Sequence, residues 1–367
     1  MDVQILKAAE EILHRLQQNG FCSVLVGGCV RDLLLGRPVH DWDIATSARP
    51  EQIARIFEKT VLTGARFGTV TVLHGGEPFE VTSFRTDGAY LDGRRPAQVV
   101  YVDSLQQDLA RRDFTINAMA LDLDGTITDP FGGRQDLEAR CIRCVGAAKT
   151  RFQEDGLRML RALRFSAQLG FSIAPQTEAA IAACAPLAQR LSAERVRDEV
   201  EKTICSSRPQ VIGRFFDYGF LQRFGAERLG SLPWTRPDRM SRWAALLSAA
   251  PGLSLQQLRL EKRLIHICTE AVNACRVPPP DLLKLYAEQG EACAQIAAQI
   301  GGVEAAYHQL AQAGRLLSLS DLAVSGRDLT WLHGAQVGRT LQALLAHVQQ
   351  QPQDNKRQIL LDLARSL

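Results

Sequence analysis

The sequence predicts an α+β chain: a compact α/β head with a mixed sheet, followed by a long all-α remainder. Three observations carry this. The 367 residues exceed what one hydrophobic core usually organises, so two or more domains are expected. Short β-type runs and glycine turns are confined to about the first 140 residues. From about residue 151 the apolar spacing turns helical, with Gly and Pro falling mainly between the periodic segments.

Residues 3–18 carry helical apolar spacing (Val3, Ile5, Leu6, Ile12, Leu13, Leu16) and end at Asn19-Gly20, a helix stop. Residues 23–26 read as a strand broken by Gly27-Gly28, and 30–35 as a helical turn ending at Gly36. A second strand is expected over 41–44. Residues 69–73 and 79–84 flank His74-Gly75-Gly76-Glu77-Pro78 as a hairpin, and 99–102 could add a strand. Beyond 151, helices are expected over 154–169, 175–187, 192–206, 208–217, 239–249, 254–276, 279–300, 302–314, 318–323, 336–349 and 353–366.

Composition narrows the class. An apolar fraction of 46% and a charged fraction of 23% are those of an ordinary globular protein, and no run approaches a membrane span. The first residues carry acids early and lack an apolar core with a cleavage site, so they do not read as a signal peptide. Nine cysteines are scattered singly apart from Cys141 and Cys144, and a lone CxxC is a poor zinc signal. A reducing cytoplasm without a membrane partner is the expectation.

Chemistry concentrates in a few short stretches. His40-Asp41-Trp42-Asp43-Ile44 spaces two aspartates at i and i+2, which on a strand share a face. Two carboxylates that close call for a cation, and Mg²⁺ is the natural oxygen-liganded one. An isolated Asp-x-Asp is more often a solvated loop. Upstream, however, Val26-Gly27-Gly28-Cys29-Val30-Arg31-Asp32 is a strand, two glycines and a helix start, a pattern that admits a phosphate. It lacks the third glycine of a dinucleotide fingerprint. Glu80 offers a third carboxylate, on the opposite side of its strand from Phe79 and Val81.

VGGCVRDLLLGRPVHDWDIAT resembles the signature of the nucleotidyltransferase superfamily in its class II tRNA branch, the bacterial CCA-adding enzymes and their relatives. The resemblance continues through Arg111-Arg112-Asp113-Phe114-Thr115-Ile116-Asn117-Ala118, Asp129-Pro-Phe-Gly-Gly133, Glu154-Asp155-Gly156-Leu157-Arg158 and Arg161-Ala-Leu-Arg164-Phe165. It is close over 20–205 and loose beyond. It implies a nucleotidyltransferase-type head over 1–140, a neck over 141–206, a body over 207–278 and a tRNA-binding tail over 279–367.

The implied activity is template-independent addition of CCA to the 3′ end of tRNA from CTP and ATP, by two-metal phosphoryl transfer with pyrophosphate leaving. The resemblance assigns Asp41 and Asp43 to Mg²⁺ with Glu80 beside them, Gly28 and Arg31 to the triphosphate, and Arg112 and Asp113 to ribose and phosphates. Asp155 and Arg158, three apart, are expected on one helical face, reading the base edge as a protein template. Cytosine and adenine both present an exocyclic amine where uracil and guanine carry an oxygen. Arg161 and Arg164 are expected to hold phosphate or to orient Asp155.

The stretch 85–96 reads as a mobile loop like that of CCA- and A-adding members, which argues against CC addition alone. Residues 65–72 lack the basic, His-containing strand of the poly(A) polymerases. Addition of A alone, beside a separate CC-adding enzyme, stays open, with CCA preferred. The only His-Asp pair is His40-Asp41, so no fused metal phosphohydrolase is expected. Intact Asp41, Asp43 and Arg112 argue against a non-catalytic RNA-binding relative. In the tail, Leu322-Ala-Val-Ser-Gly326-Arg327-Asp328-Leu329 resembles the family's elbow-contacting segment, and Lys262-Arg263 and Lys356-Arg357 read best as solvated charge.

Overall fold

The computed structural model describes residues 3–87, 99–233 and 236–367. They fall into two compact units, residues 1–203 with 207–220 and residues 204–206 with 221–367.

Helix α1 (Val3–Gln18) buries Ala9, Ile12, Leu13 and Leu16 on one face. It stops at Gly20, whose φ of 84° only glycine adopts without strain. Strand β1 (Ser23–Val26) follows, buried along its whole length, then α2 (Gly28–Leu34) and β2 (Asp43–Thr46). Helix α3 (Pro50–Ile56) leads to β3 (Thr60–Val61), β4 (Thr69–His74) and β5 (Glu77–Ser83), the last two forming the expected hairpin. A separate ribbon pairs β6 (Arg85–Asp87) with β7 (Val99–Tyr101). The loop expected over 85–96 thus begins as a strand, and its part from residue 88 onward lies outside the described residues. Helix α4 (Leu105–Ala110), β8 (Ala120–Leu121), β9 (Ile127–Thr128) and α5 (Gly133–Glu138) complete the head.

The main sheet has seven strands in the order β3-β4-β5-β2-β1-β8-β9. Only the β2–β5 pairing is parallel, so the sheet is mixed. Its register sets Asp43 beside Glu80 and Ile44 beside Val81. Paired residues on neighbouring strands share a face about 4.8 Å apart. Phe79, Val81 and Ile44 are buried, which leaves the Asp43–Glu80 side open at the strand ends. One core of this head joins Val24, Val26, Ala45, Phe84, Leu109 and Ala120.

The structure departs from several expectations. The strand at the first acids starts at Asp43, not Asp41, so Asp41 sits exposed ahead of it. The helix expected over 154–169 is two, α6 (Ala148–Glu154) and α7 (Leu157–Leu169). Asp155 breaks them with φ −142° and ψ 104°, an extended conformation that no helix turn accommodates. A short parallel pair, Cys141–Ile142 with Ser172–Ile173, interrupts the otherwise helical stretch. Further on come α8 (Pro175–Cys184) and α9 (Ala193–Ile204).

The second unit is helical. The helix expected over 254–276 starts only at Lys262, and that over 279–300 is split at Gly290, φ 86°. Residues 318–323 hold only a 3-10 turn, Leu319–Asp321. One core of this unit gathers Leu322, Val324, Leu329, Leu344, Leu345, Val348 and Leu360. No described helix is long and apolar enough to cross a membrane.

Candidate active site

The β1–α2 turn, the segment after α4 and the start of α7 open together on a cleft of about 680 Å³ in the first unit. Seven arginines (Arg31, Arg85, Arg111, Arg112, Arg158, Arg161 and Arg195) line it against three aspartates, Asp43, Asp113 and Asp155. That excess of guanidinium suits a polyanion of triphosphate kind.

The glycine turn passes between two charges. Gly27 has φ 78°, and a Cβ there would lie 3.0 Å from Arg112 Nη1 and 3.3 Å from Asp43 Oδ2. Any side chain would push the arginine and the carboxylate apart. At Gly28 an added Cβ meets only Arg31 Nη2, at 3.6 Å, an ordinary contact. Burial, with Glu80 and Asp41 nearby, pushes the Asp43 carboxyl up to about 6, although Arg112 pulls the other way.

Arg112 is held from behind. Its Nη2 donates to Asp108 Oδ2 at 3.2 Å, while Arg111 Nη2 lies 2.8 Å from Asp108 Oδ1. Burial of Asp108 alone would raise its pKa, but the two arginines outweigh it and hold it low. The Nε of Arg112 is buried with no hydrogen-bond partner.

Asp113 is a hub. Its Oδ1 accepts from the Phe114 N–H (2.8 Å) and Asn117 Nδ2 (3.2 Å), and its Oδ2 from Arg161 Nε (2.7 Å) and Nη2 (2.6 Å). Burial works against the charge, yet Arg161 and these donors bring it down to about 2. Asn117 Oδ1 in turn accepts from Arg31 Nη1 at 2.7 Å, and Asp32 takes Nε and Nη2 of Arg31. The Phe165 ring lies among three guanidiniums, with Arg31, Arg161 and Arg164 at 5.2, 5.3 and 3.9 Å from its centroid.

The Asp129–Gly133 motif supports this hub from below. The Asp129 carboxylate caps α5 by accepting from the Gly133 and Arg134 N–H groups at 2.7 and 2.9 Å. From α5, Asp136 accepts from Thr115 Oγ1 at 2.7 Å and so fixes the turn that presents Asn117. A Cβ on Gly133 would meet the Thr115 carbonyl at 2.3 Å, so helix and turn touch only through glycine.

Asp155 and Arg158 both line the cleft, but not as neighbours on one helix face. Arg158 Nη1 donates to Glu154 Oε2 (2.7 Å) and the Arg151 carbonyl (3.2 Å), and its Nη2 to the Arg111 carbonyl (2.9 Å). Asp155 instead faces Arg195 of α9, which reaches both carboxylate oxygens at 3.2 and 2.8 Å. The break at Asp155–Gly156 turns the two side chains to different partners.

Residues 23–143 match the family model described as poly A polymerase head domain, and 170–224 the one described as probable RNA and SrmB-binding site of polymerase A. A CCA-adding enzyme of Lactiplantibacillus plantarum is 37% identical over 98% of this chain and 96% of its own. The chain belongs to the bacterial CCA-adding enzymes, the class II tRNA nucleotidyltransferases. A Geobacillus stearothermophilus CCA-adding enzyme is 55% identical over 53% of the chain; this match spans about half of that relative's length, 48%. The crystal structure of the Bacillus stearothermophilus CCA-adding enzyme in complex with CTP matches 100% of this chain and 99% of its own, with TM-score 0.82 and 34% identity. The Thermotoga maritima enzyme complexed with tRNA, at 21% identity and TM-score 0.69, shares the fold.

Within this CCA-adding framework the cleft takes in Gly28, Arg31, Asp43, Arg112, Asp113, Asp155, Arg158 and Arg161. Asp41 and Glu80 stand outside its lining, both exposed. Arg164 turns away: its Nε donates to the buried Glu199 at 2.5 Å and its Nη1 to Gln168 at 2.6 Å. It therefore neither orients Asp155 nor reaches the cleft. Sequence reasoning missed Arg195, Glu154, Asp108 and the role of Gly27. Asp108 and Glu154 stand three or four residues from their arginines, a spacing the sequence offered, whereas Arg195 meets Asp155 from 40 residues away and nothing local announces it. A second glycine beside Gly28 was the available sign for Gly27.

Proposed function

We propose that this chain completes the 3′ end of tRNA, adding C, C and A from CTP and ATP and releasing pyrophosphate. The observation that carries the reading is the single cleft in which an arginine-rich wall faces both Asp43 and the Asp155–Arg158 pair. A polyphosphate site, a carboxylate at its floor and a base-reading end are what a protein-templated transferase needs. The names of the relatives support the same activity.

The donors fit Mg²⁺. Asp43 is raised to about 6 chiefly by burial, with Arg112 opposing and Glu80 and Asp41 adding to it, and the three carboxylates offer hard oxygen donors. No cluster of three His, Cys, Asp or Glu groups stands assembled among the described residues. Asp41 and Asp43 would therefore hold Mg²⁺ together with substrate phosphates rather than as an all-protein cage. When bound, the metal supplies Lewis-acid stabilisation of charge on the attacking and leaving oxygens.

The chain's own groups do the rest. Arg31, set by Asn117 and Asp32, and Arg112, set by Asp108, receive the triphosphate beside the Gly27–Gly28 turn. Asp155 accepts the exocyclic amine of cytosine or adenine, and Arg158 donates to the adjacent ring nitrogen. Uracil and guanine set an oxygen against the carboxylate, a mismatch worth about 1–3 kcal/mol in a closed pocket. Asp113, with four donors on its two oxygens, would meet the ribose only by releasing one of them.

Residues 141–206 act as the neck, 207–278 as the body and 279–367 as a tail that holds tRNA. The reaction runs in the cytoplasm, where nine free thiols stay reduced. Sequencing the 3′ ends made from tRNAs lacking CCA, CA or A tests the reading. Completion from all three is expected, and extension only of tRNA already ending in CC would replace it with A addition alone.

A further inference from the structure

Asp155 does not stand alone. Its carboxylate receives the Leu157 N–H on Oδ1 at 3.0 Å, Arg195 Nη1 on the same oxygen at 3.2 Å, and Arg195 Nη2 on Oδ2 at 2.8 Å. Arg195 comes from α9, 40 residues along the chain, and lines the same cleft. The pair is largely shielded, with side chains 27% and 16% exposed.

We infer that Arg195 is a specificity-determining positioning residue, whose two-pronged grip on Asp155 restricts the base-reading carboxylate to a single acceptor site. The inference rests on the reading of Asp155 as the acceptor for the base's amine.

The argument is one of acceptor counting. An ionised carboxylate offers about four lone-pair positions. The three donors named above take three of them and leave one, on Oδ2. The planar fork of an arginine fixes both the position and the plane of a carboxylate, which a lysine's point charge does not. A base bearing an amine donates into the one open position. A base bearing a carbonyl oxygen there meets only an acceptor. The extended backbone at Asp155 is part of the same device, since it turns the side chain from α7 toward α9. Arg158, held separately by Glu154, keeps its orientation when the fork is removed.

The test compares Arg195→Ala, Arg195→Lys and Asp155→Ala in the full chain, measuring kcat/KM for CTP and for UTP on tRNA lacking CCA. Arg195→Ala should narrow the CTP-to-UTP ratio about tenfold, and Arg195→Lys should recover CTP use while leaving most of the ratio lost. tRNA affinity should stay within about twofold of the parent in both. If Asp155→Ala narrows the ratio and both Arg195 variants keep it, the grip is an ordinary ion pair and the inference fails. Equal loss for CTP and UTP in both Arg195 variants overturns it too, because that is the mark of a merely structural residue. If Asp155→Ala itself leaves the ratio unchanged, the base-reading assignment falls, and this inference with it.

Discussion

The two units bury different things. In the first, Arg31, Asp108, Asp113, Asp136, Arg158, Arg164 and Glu199 are all buried, whereas in the second Arg242 is the one buried charge among the described residues. Burying an ion is costly unless it is paired and hydrogen-bonded, and an apolar replacement is often at least as stable. A unit that carries so many is not organised for stability alone. Several of its ion pairs, those of Arg31, Asp108, Asp113 and Arg158, each fix a guanidinium or carboxylate beside one cleft, while Arg164–Glu199 and Arg143–Asp136 lie away from it. The second unit closes with leucine and valine packing around Leu329, Leu344 and Leu360, and among its described charges only Arg242 is buried. Buried charge is set into the first unit; the second is closed by apolar packing.

The sharpest way to break this contrast is at Asp43 and Asp41, the carboxylates proposed to hold Mg²⁺. Asp43→Ala should nearly abolish transfer of both C and A, and Asp41→Ala should do the same, with tRNA binding largely intact. Residual kcat within about tenfold of the parent, roughly 1.4 kcal/mol of barrier, would remove the metal role from the residue concerned.

Next in size is stability. Asp113→Ala takes a buried acceptor from the Phe114 N–H, Asn117 and Arg161 and should cost about 1–3 kcal/mol, with a matching loss of nucleotide affinity. Leu344→Ala, in the second unit, opens a cavity and should cost about 2–5 kcal/mol, yet leave the KM for CTP unchanged. Denaturant titration beside steady-state kinetics separates the two. A raised KM in the leucine variant would show the units to be less distinct than their interiors suggest.

A smaller effect follows from pH. The folded pKa of Asp113, about 2, lies below the unfolded value of about 3.9. Its contribution is therefore complete above about pH 5 and is lost as pH falls through about 2, on the order of 2–3 kcal/mol. Unfolding midpoints of the parent should fall more steeply between pH 4 and 2 than those of Asp113→Asn. Parallel curves would contradict the pairing.

The same contrast decides what could be read from sequence. The head's strands, α1 and the hairpin were legible because a sheet face and a helix stripe leave periods of two and 3.6 in the residues. The site motifs were legible because glycines and acids cluster within a few positions. Asp155 was misplaced because the apolar period runs on through it; the local sign that went unread is Asp155-Gly156, a helix-interrupting dipeptide whose carboxylate accepts from the Leu157 N–H. Arg164 was misassigned for a related reason: it continues the arginine row in sequence, but Glu199 draws it inward. In the second unit, helix existence was clear and helix ends were not, since Gly290 and the irregular stretch before Lys262 interrupt unbroken apolar spacing.

The smallest expected effect concerns the charges of the second unit. If they are solvated scaffold surface, replacing them should leave the salt dependence of tRNA binding as it was. Each true phosphate contact releases counterions and contributes roughly 0.7–0.9 to the slope of log K against log salt. Arg357 already lies 2.8 Å from Asp328, which its side chain and the Ser325 donors bring down to about 2, so this arginine has a protein partner to satisfy it. Arg357→Ala should thus leave the slope unchanged, and so should a Lys262→Ala, Arg263→Ala double variant. A slope reduced by about one in either would make that position part of the RNA-binding surface. The second unit would then carry recognition on its exterior while still keeping charge out of its core, and the difference between the units would be one of where their charges point rather than of what they do.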